Sequence, residues 1–401
     1  MNTAHKTDKE KEEFFDSEQE LDEKITTLAE WIKASKHFVA FTGAGISTGA
    51  GIPDFRSGVN TVLPTGPGAW EKAATKSNAK PKLYQPIISA VPTACHMSLV
   101  KLLETGHLKY LISQNVDGLH RKSGIPAKSL AELHGNCNLE ICKNEKCKKQ
   151  YLRDYEIHGY SARDHRTGNK CENCGKELYD NIINFGENLP EKELLNGFDH
   201  SAKADLCLVL GSSLRVTPAA HMPRETVRNG GKLVIVNLQA TPLDDGALRI
   251  NGLIDDIMVR LMKKLDLTIP QFTLKRRVSI RKYDTESSMK KSSSKKIGLK
   301  IQGVDEEGSP YSLFKSVDVL FPESKKPATF TKEPIEAYSS KVDMSKGEVK
   351  ITMEFQGHYG EENFVLSVPL EGLKLGEPIY YFIEYDIWSR EWISWKQIFV
   401  E

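Results

Sequence analysis

Four cysteines fall into two short-range pairs that are typical of a metal site, Cys142-x4-Cys147 and Cys171-x2-Cys174. Two such pairs of thiolates are what a tetrahedral structural zinc ion requires. The surrounding segment, residues 137–179, is rich in Lys, Asn and Cys and has little apolar periodicity. It therefore needs a cross-link or a bound metal ion in order to fold. The alternative is two buried or disulfide-linked pairs. We predict zinc, because the segment lacks a core of its own.

Three further cysteines lie outside these pairs. Cys207 lies in an apolar run and is expected to be part of a core, and Cys95 is left over. Cys137 comes five residues before the first predicted ligand and could compete for the metal. Because four cysteine ligands leave no open coordination position, the ion is expected to stabilise the fold and to take no part in catalysis.

A glycine-rich turn is the second chemically informative feature. The apolar run Phe38–Phe41 ends abruptly in Thr42-Gly43-Ala44-Gly45. An apolar strand that breaks into glycines is how a parallel sheet presents backbone amides to a phosphate. Thr48 stands where the dinucleotide fingerprint has its third glycine, and no acidic residue ends a second strand about 20 positions on. The turn therefore predicts a nucleotide loop of a different design.

His134 is the candidate acid–base residue. It stands between Leu133 and Gly135, at the close of a short apolar piece and just before the cysteine segment. An imidazole at that point could act as a general base near neutral pH. From position alone, the alternative is a surface or capping histidine.

The elements that must position these residues indicate an α/β fold. Residues 205–211 and 232–238 are apolar runs without alternation, as expected for strands that are buried on both faces. Helix-like segments follow at 219–229 and 254–265. We predict a Rossmann-like parallel sheet whose strand ends share one crevice, with the small four-cysteine zinc domain inserted at about 137–180.

The flanking regions differ in character. We predict a disordered acidic arm over 1–20, a catalytic domain over 21–270, a basic linker over 271–298 and an all-β, sandwich-like module over 299–401. The linker is read either as a nuclear import signal or DNA-phosphate contact, or as a solvated spacer. The 401 residues carry a net charge of +1, and no apolar run approaches the length of a membrane span. The amino-terminal residues are too polar for a secretory signal and too acidic for a mitochondrial presequence.

Six motifs occur in order: GAGIS at Gly43–Ser47, PDFR at Pro53–Arg56, QNVDGLH at Gln114–His120, ELHG at Glu132–Gly135, GSS at Gly211–Ser213 and VNLQ at Val236–Gln239. Together with the cysteine pairs, this set resembles the sirtuin family of NAD-dependent protein deacylases over about residues 20–270. ELHGN, the region around Trp70, HRTG at His165–Gly168 and VNLQ are similar to the class IV branch of nuclear, chromatin-acting sirtuins.

The resemblance implies an NAD-binding domain, a zinc domain and a cleft between them for an acyl-lysine peptide. It implies His134 as the catalytic base and a set of NAD-binding residues. These are Ala44, Gly45, Ser47, Thr48, Asp54, Phe55, Arg56, Trp70, Gln114, Asn115, Asp117, Gly211, Ser212, Ser213, Asn237, Gln239 and Ile254. The longer insertion between Arg56 and Trp70 leaves the role of Trp70 open, and Ser213 and Asn237 have alternatives as turn or cap residues.

In the family, the acyl-lysine oxygen attacks the ribose as nicotinamide leaves, and the base then takes a ribose hydroxyl proton. Products are the free lysine, nicotinamide and O-acyl-ADP-ribose. The resemblance also implies that Phe185-Gly186-Glu187 faces the substrate. We expect a nuclear protein, with a cytoplasmic location as the alternative, that acts on histone tails or other nuclear proteins and has no membrane partner. Two alternatives stay open, mono-ADP-ribosyl transfer to protein and a catalytically weak chromatin scaffold that docks through Lys275–Lys300.

Overall fold

The computed structural model describes residues 7–76, 83–284, 297–305, 308–322, 324–339 and 345–399. The chain divides into two compact units. Unit 1 consists of Met1–Cys137 and Asn181–Phe272, and unit 2 consists of Asn138–Asp180 and Thr273–Glu401.

Unit 1 is built around a six-stranded sheet in which every pairing is parallel. Its strands are β1 (Phe38–Thr42), β2 (Leu108–Ser113), β3 (Leu130–Glu132), β8 (Leu206–Leu210), β9 (Lys232–Val236) and β10 (Leu248–Ile250). The spatial order is β10-β9-β8-β1-β2-β3, so the chain leaves β1 towards β2 and later returns to its other side as β8. In parallel sheets, such a reversal opens a crevice at the carboxyl ends of the two central strands. The predicted α/β fold is confirmed.

Helices cover both faces of this sheet. The helices of unit 1 are α1 (Asp8–Lys11), α2 (Glu18–Ala34), α3 (Ala69–Thr75), α4 (Ala94–Glu104), α5 (Leu119–Ser123), α6 (Glu191–Lys203), α7 (His221–Arg228) and α8 (Ile254–Lys264). One apolar core joins α2, α4 and α8 to one face, and a second joins α6 and α7 to the other. Successive residues of β1, such as Phe38 and Val39, belong to different cores, which explains why the strand shows no polar alternation.

The amino-terminal arm departs from the prediction of disorder over 1–20. Within the described residues 7–20, α2 already begins at Glu18, where Ser17 and Glu20 form a reciprocal capping box. Phe14 donates its backbone N–H to the carbonyl of Leu238 at 2.9 Å, and Asp16 accepts from the amide of Asn251. The segment is ordered because its polar groups have partners in the body of unit 1. Residues 1–6 lie outside the described residues.

The cysteine segment of unit 2 forms a five-stranded sheet of order β13-β5-β4-β7-β6. The strands are β4 (Leu139–Cys142), β5 (Gln150–Arg153), β6 (Arg166–Lys170), β7 (Glu177–Asp180) and β13 (Tyr311–Ser312). The last of these comes from the carboxyl-terminal region and pairs in parallel with β5. The insert and the carboxyl-terminal module thus share one sheet.

The rest of unit 2 is a β-sandwich, as predicted. One sheet has the order β16-β12-β11-β19-β20, and the other has the order β15-β14-β17-β18. The strands are β11 (Leu274–Asp284), β12 (Ile297–Gly303), β14 (Phe314–Leu320), β15 (Ala328–Phe330), β16 (Ile335–Tyr338), β17 (Glu348–Phe355), β18 (Phe364–Pro369), β19 (Ile379–Asp386) and β20 (Glu391–Phe399). Inward-facing residues of both sheets form a single apolar core.

The basic linker predicted over 271–298 is wrong for its described part. Leu274–Asp284 form β11, a central strand of the first sandwich sheet. The basic residues alternate with apolar ones, so that Val278 and Ile280 enter the core while Arg277 and Arg281 lie on the opposite face. Residues 285–296 lie outside the described part of the chain.

A buried ion cluster joins the insert to the sandwich within unit 2. Arg276 donates through Nη2 to Asp154 Oδ2 at 2.8 Å and to Glu361 Oε1 at 3.1 Å. Their side chains are 1%, 4% and 0% exposed. His358 adds a contact to the Asp154 carbonyl oxygen. These bonds and the shared sheet explain why residues 138–180, which we predicted as part of the catalytic domain, group with the carboxyl-terminal region.

Among the described helices, none combines the length and the apolar character that crossing a membrane requires.

Candidate active site and metal centre

Three glycines bring the loops after β1 and β8 together. A Cβ atom on Gly45 would lie 2.7 Å from the Cα of Gly211, and one on Gly43 would lie 2.6 Å from the Gly211 carbonyl oxygen. Gly211 has a φ of +62°, a region that favours glycine. We expected the glycines to bare their own amides, but Gly43 and Gly45 donate to the carbonyls of Leu210 and Gly211. Their role is to let two backbones approach.

The 3-10 helix Ala44–Ala50 opens directly from this contact and contains Ser47 and Thr48. Ser47 Oγ donates to Asp117 Oδ2 at 2.7 Å, and both side chains are buried. The other carboxylate oxygen of Asp117 accepts from the amide of Leu119. Asn115 Nδ2 reaches the carbonyl of Gly43 at 3.2 Å. The loop after β2 is therefore locked to the loop after β1, and the predicted residues of both lie together.

Gln114 connects β2 to two other strand ends. Its side-chain Oε1 accepts from Ser212 Oγ, after β8, at 2.7 Å. Its backbone carbonyl lies 2.8 Å from His134 Nδ1, after β3. Since a carbonyl oxygen can only accept, Nδ1 is the protonated nitrogen of the neutral ring, and Nε2 keeps a free lone pair. This tautomer is the one that a general base acting through Nε2 needs.

Burial lowers the pKa of His134 below its ordinary value, while the bond to Gln114 opposes the shift. The ring is therefore neutral at physiological pH and ready to accept a proton. His120, on α5, has a different environment. It is 3% exposed, its Nε2 pairs with Thr42 Oγ1 at 2.9 Å, and burial lowers its pKa to about 3. His120 is thus part of the buried framework, and His134 is the histidine suited to proton transfer.

Glu132 fixes the loop that carries His134. Its carboxylate accepts from Arg121 Nε at 2.8 Å and from Asn136 Nδ2 at 2.7 Å. Gly135 has a φ of +86°, and a Cβ there would lie 2.0 Å from the carbonyl oxygen of Asn181. The motif ELHGN is therefore needed for loop geometry as well as for its histidine. Neither Arg121 nor Asn136 was among the predicted site residues.

The loop between Asp54 and Trp70 carries an aromatic cluster. The rings of Phe55 and Trp70 are 4.7 Å apart, and the guanidinium of Arg56 lies 4.4 Å from the Trp70 ring. Backbone bonds join Ala69 to Asp54 and Trp70 to Phe55, so the insertion between them closes on itself. The structure thus places Trp70 beside the PDFR motif in spite of the longer loop. Phe185 contacts the other side of Trp70 at 5.6 Å.

Asp54 shapes this loop from within. Its Oδ1 accepts from the amides of Arg56 and Ser57. Burial raises the pKa of Asp54 in spite of these bonds. Burial also lowers the pKa of Arg56 to about 10, helped by the nearby charge of Arg215. The described contacts of Asp54 are therefore those of a turn-forming residue.

An open cleft with a volume of about 190 Å³ lies beside the 3-10 helix. Six of the predicted cofactor residues line it: Gly45, Thr48, Asp54, Asn237, Gln239 and Ile254. Leu63, Pro64, Leu253 and Asp255 also line it and were not predicted. Asn237 Nδ2 donates to the carbonyl of Gln239, and Arg249 donates to the backbone carbonyls of both residues. The structure describes Ser213 as half-buried at the end of β8, outside this lining.

The four predicted metal ligands converge in unit 2. Their Sγ atoms all lie within 4.8 Å of one another, with 3.5 Å between Cys142 and Cys174 and 3.6 Å between Cys147 and Cys171. Four thiolates about 2.3 Å from a tetrahedral zinc would be about 3.8 Å apart, so the donor set fits that ion. Lys148 and Gly175 adopt positive φ values of 47° and 69°, which close the two knuckles. The longer first spacing is thereby accommodated.

Comparisons with known proteins agree with this geometry. The family model "Sir2 family" matches residues 43–218. A rice relative (Oryza sativa subsp. indica), "NAD-dependent protein deacetylase SRT1", is 40% identical over 90% of this chain and 72% of its own length. A protein of the same name from Arabidopsis thaliana is 45% identical, with 65% of this chain and 53% of that protein covered.

Human "NAD-dependent protein deacetylase sirtuin-7" is 39% identical, with 65% of each chain covered. The chain thus spans between about half and three quarters of the length of these relatives. The ordered motifs, the convergence of their residues at the strand ends, the four-cysteine cluster and these likenesses agree. This chain belongs to the Sir2 family, the sirtuins, which are NAD-dependent protein deacylases.

Proposed function

We propose that this chain removes acyl groups from protein lysines in an NAD-dependent reaction, with His134 as the general base. The observation that carries the proposal is the bond between His134 Nδ1 and the carbonyl of Gln114. It fixes the tautomer, and the burial of the ring keeps it neutral. Proton transfer by such a group typically accelerates a reaction about 10²- to 10⁴-fold.

The residues of unit 1 fit NAD. Gly45 lines the open cleft, and its close packing against Gly211 brings the loops after β1 and β8 together at the cleft wall. Asn237, Gln239 and Ile254 line the open cleft and would hold the adenosine half. Ala44, Ser47 and Thr48 would lie along the pyrophosphate, and Gln114, Asn115 and Asp117 beside the nicotinamide ribose. When bound, NAD supplies an ADP-ribosyl group with nicotinamide as its leaving group.

Two parts of unit 1 then have distinct tasks. Asp117 has both oxygens bonded, yet each oxygen can accept a second bond and so grip a carboxamide. Phe55, which is 41% exposed, and Trp70 present apolar surface that would exclude water from the reacting groups. His134 Nε2 takes a proton from a hydroxyl of the bound complex.

The acyl-lysine donor is proposed to be a protein, and histone tails and other nuclear proteins are the proposed targets. The support is the likeness to class IV sirtuins in ELHGN, in VNLQ and in the loop that carries Trp70. A nuclear location follows from the same likeness and is tested by imaging a fluorescent fusion. We also propose that the basic stretch Lys275–Lys300 contacts nucleic acid. β11 is a folded strand in which Arg276 is buried. The support for the contact therefore comes from the charged side chains on the outer face of β11.

The test is to incubate the full chain with NAD and a panel of acetyl-, succinyl- and long-chain-acyl-lysine peptides, and to identify products by mass. The expected products are free lysine peptide, nicotinamide and O-acyl-ADP-ribose in equal amounts. His134→Ala should abolish product formation while NAD binding measured by calorimetry is kept. His221→Gln, at an exposed histidine on α7, is the matched control.

Two other results would redirect the assignment. Nicotinamide release accompanied by ADP-ribosylated protein, without loss of acyl groups, would favour mono-ADP-ribosyl transfer. Saturable NAD binding without any product from the whole panel would favour a catalytically weak scaffold.

A further inference from the structure

The outer face of the sheet β16-β12-β11-β19-β20 combines cations with aromatic rings. Cross-strand register places Arg277 beside Phe382, and Phe382 beside Lys396. The same register places Ser279 beside Tyr380, and Arg281 beside Lys300. Because side chains alternate along a strand, all of these lie opposite the core residues Val278, Ile280 and Ile383.

The aromatic and cationic groups of this face are in direct contact. The Arg277 guanidinium lies 4.3 Å from the Phe382 ring and 5.8 Å from the Tyr380 ring. The Lys396 ammonium lies 5.8 Å from the same Phe382 ring. Arg277 Nη1 also donates to the Asp305 carbonyl oxygen at 3.1 Å, which holds the guanidinium in place. A guanidinium stacked on an aromatic ring offers a flat surface to a nucleobase and a positive charge to a phosphate.

The charge is positive in the central part of the face. Its cations are Lys275, Arg277, Arg281, Lys300 and Lys396. Glu336 pairs with Lys300 at 3.4 Å, and Glu384 accepts from Thr273 and Ser394. Glu172 reaches the margin, where Gln302 donates to it at 3.1 Å. Asp386 and Glu391 add two carboxylates at the end of β19 and the start of β20. The excess of cations is therefore confined to the part of the face around Arg277, Arg281 and Lys396, and this part favours an anionic partner.

The dimensions suit a short segment of single strand. From Lys275 to Arg281 the strand rises about 20 Å, and the step from β12 to β20 spans three strand spacings, or about 14 Å. A flat patch of this size accepts a few unpaired nucleotides, whereas an acidic peptide has no bases to stack.

We propose that this sheet face, centred on Arg277, Phe382 and Lys396, binds single-stranded nucleic acid without sequence preference. Bases stack on the aromatic and guanidinium surfaces, and the lysines and arginines contact phosphates. The inference deepens the proposed nucleic-acid contact of Lys275–Lys300 and does not depend on deacylase activity. His134→Ala protein should bind equally well, so failure of one proposal is distinguishable from failure of the other.

The test is fluorescence anisotropy of the full chain with labelled 12-nucleotide single strands of RNA and DNA, a duplex of the same sequence and a labelled polyglutamate peptide. We expect both single strands to bind more tightly than the duplex and polyglutamate. Comparison of the two single strands shows which sugar the face prefers. With about three phosphate contacts, the slope of log affinity against log salt should be about −2.

Two variants separate stacking from charge. Phe382→Leu should weaken single-strand binding about tenfold and leave the salt slope unchanged. The double variant Arg277→Gln, Lys396→Gln should weaken binding and reduce the slope to about −0.7. Lys350→Gln, at an exposed lysine of β17, and Tyr160→Leu, at an exposed aromatic ring of the cysteine insert, are matched controls that should bind normally. Thermal melting verifies that each variant is folded.

Polyglutamate or duplex binding as tight as single-strand binding would overturn the proposal. So would a folded Phe382→Leu variant with full affinity, since the face would then act through charge alone. Absence of binding to every probe at low salt would also overturn it.

Discussion

The two compact units hold their functional groups by opposite means. In unit 1, polar side chains extend from the ends of parallel strands whose two apolar cores are large and independent of the site. In unit 2, the four cysteines are themselves most of the local core. Cys142 and Cys171 are buried with Tyr151 and Leu178, and the partly buried Cys147 and Cys174 pack against them. Site residues in unit 1 should therefore matter for chemistry, and those in unit 2 for folding.

The largest effect is expected from removing the metal. Cys171→Ser, or a chelator, should release zinc and unfold the insert, because structural zinc contributes about 10–16 kcal/mol in small zinc domains. Hydrogen exchange should lose protection over β4–β7 and keep it in β1 and β8 of unit 1. Cys137→Ala is the control and should retain one zinc per chain by atomic absorption. Unchanged exchange in zinc-free protein would show that the insert has a sufficient core.

Next comes the base of unit 1. His134→Gln should lower kcat about 10²- to 10⁴-fold with little change in melting temperature, because the ring sits outside both apolar cores. In the wild type, kcat/KM should rise with pH through a midpoint below 6.5 and then level off, because the neutral ring is the active form and burial lowers its pKa. A folded variant with full activity would remove His134 from the reaction.

Breaking the buried ion cluster of unit 2 should lower the free energy of unfolding and leave the chemistry of unit 1 unchanged. Arg276→Leu leaves Asp154 and Glu361 buried without their cation, which costs about 3–5 kcal/mol. Denaturant unfolding, followed by a signal from unit 2, should show this decrease in the free energy of unfolding. Arg166→Leu removes an exposed pair with Asp164 and should leave the free energy of unfolding nearly unchanged. Equal costs for the two variants would contradict a special role for the buried cluster.

The smallest effect concerns the amino-terminal arm. Lys11 pairs with the buried Glu71 at 2.8 Å, and Glu13 accepts from the amide of Val62 at 3.0 Å. Both contacts fasten the loop that carries Trp70, so deleting residues 1–16 should raise the KM for NAD about three- to tenfold by freeing that loop. The double variant Lys11→Met, Glu13→Gln should reproduce part of the rise. Glu23→Gln, an exposed change on α2, is the control. An unchanged KM would leave the arm a purely structural element.

Sequence alone predicted the features that local pattern determines. The cysteine spacing predicted the metal cluster, and uninterrupted apolar runs predicted β8 and β9. The family motifs indicated His134, whose own position left a surface histidine open. The reason for the glycines was missed because it depends on β1 and β8 becoming neighbours, which no local pattern specifies.

The basic stretch contained the pattern of a strand, but its charged residues drew the prediction towards a linker. Leu274, Val278 and Ile280 follow the period of two that is typical of a strand, but the run of lysine and arginine suggested a linker. The partners that bury Arg276 lie 122 and 85 positions away, so its burial could not be predicted. The amino-terminal arm was mispredicted for the same reason. The capping box of Ser17 and Glu20 marked the start of α2 in the sequence, but the distant residues that bind the arm could not be predicted from it.

The central claim is that the carbonyl of Gln114 holds His134 as the neutral ring with its proton on Nδ1. Long-range 1H–15N spectra of histidine-labelled protein, assigned by comparison with His134→Gln and followed from pH 5 to 8, test it most directly. We predict an Nδ1–H tautomer that titrates with a pKa below 6.5. A ring protonated on Nε2 in its neutral form, or a pKa above 6.5, would contradict the account.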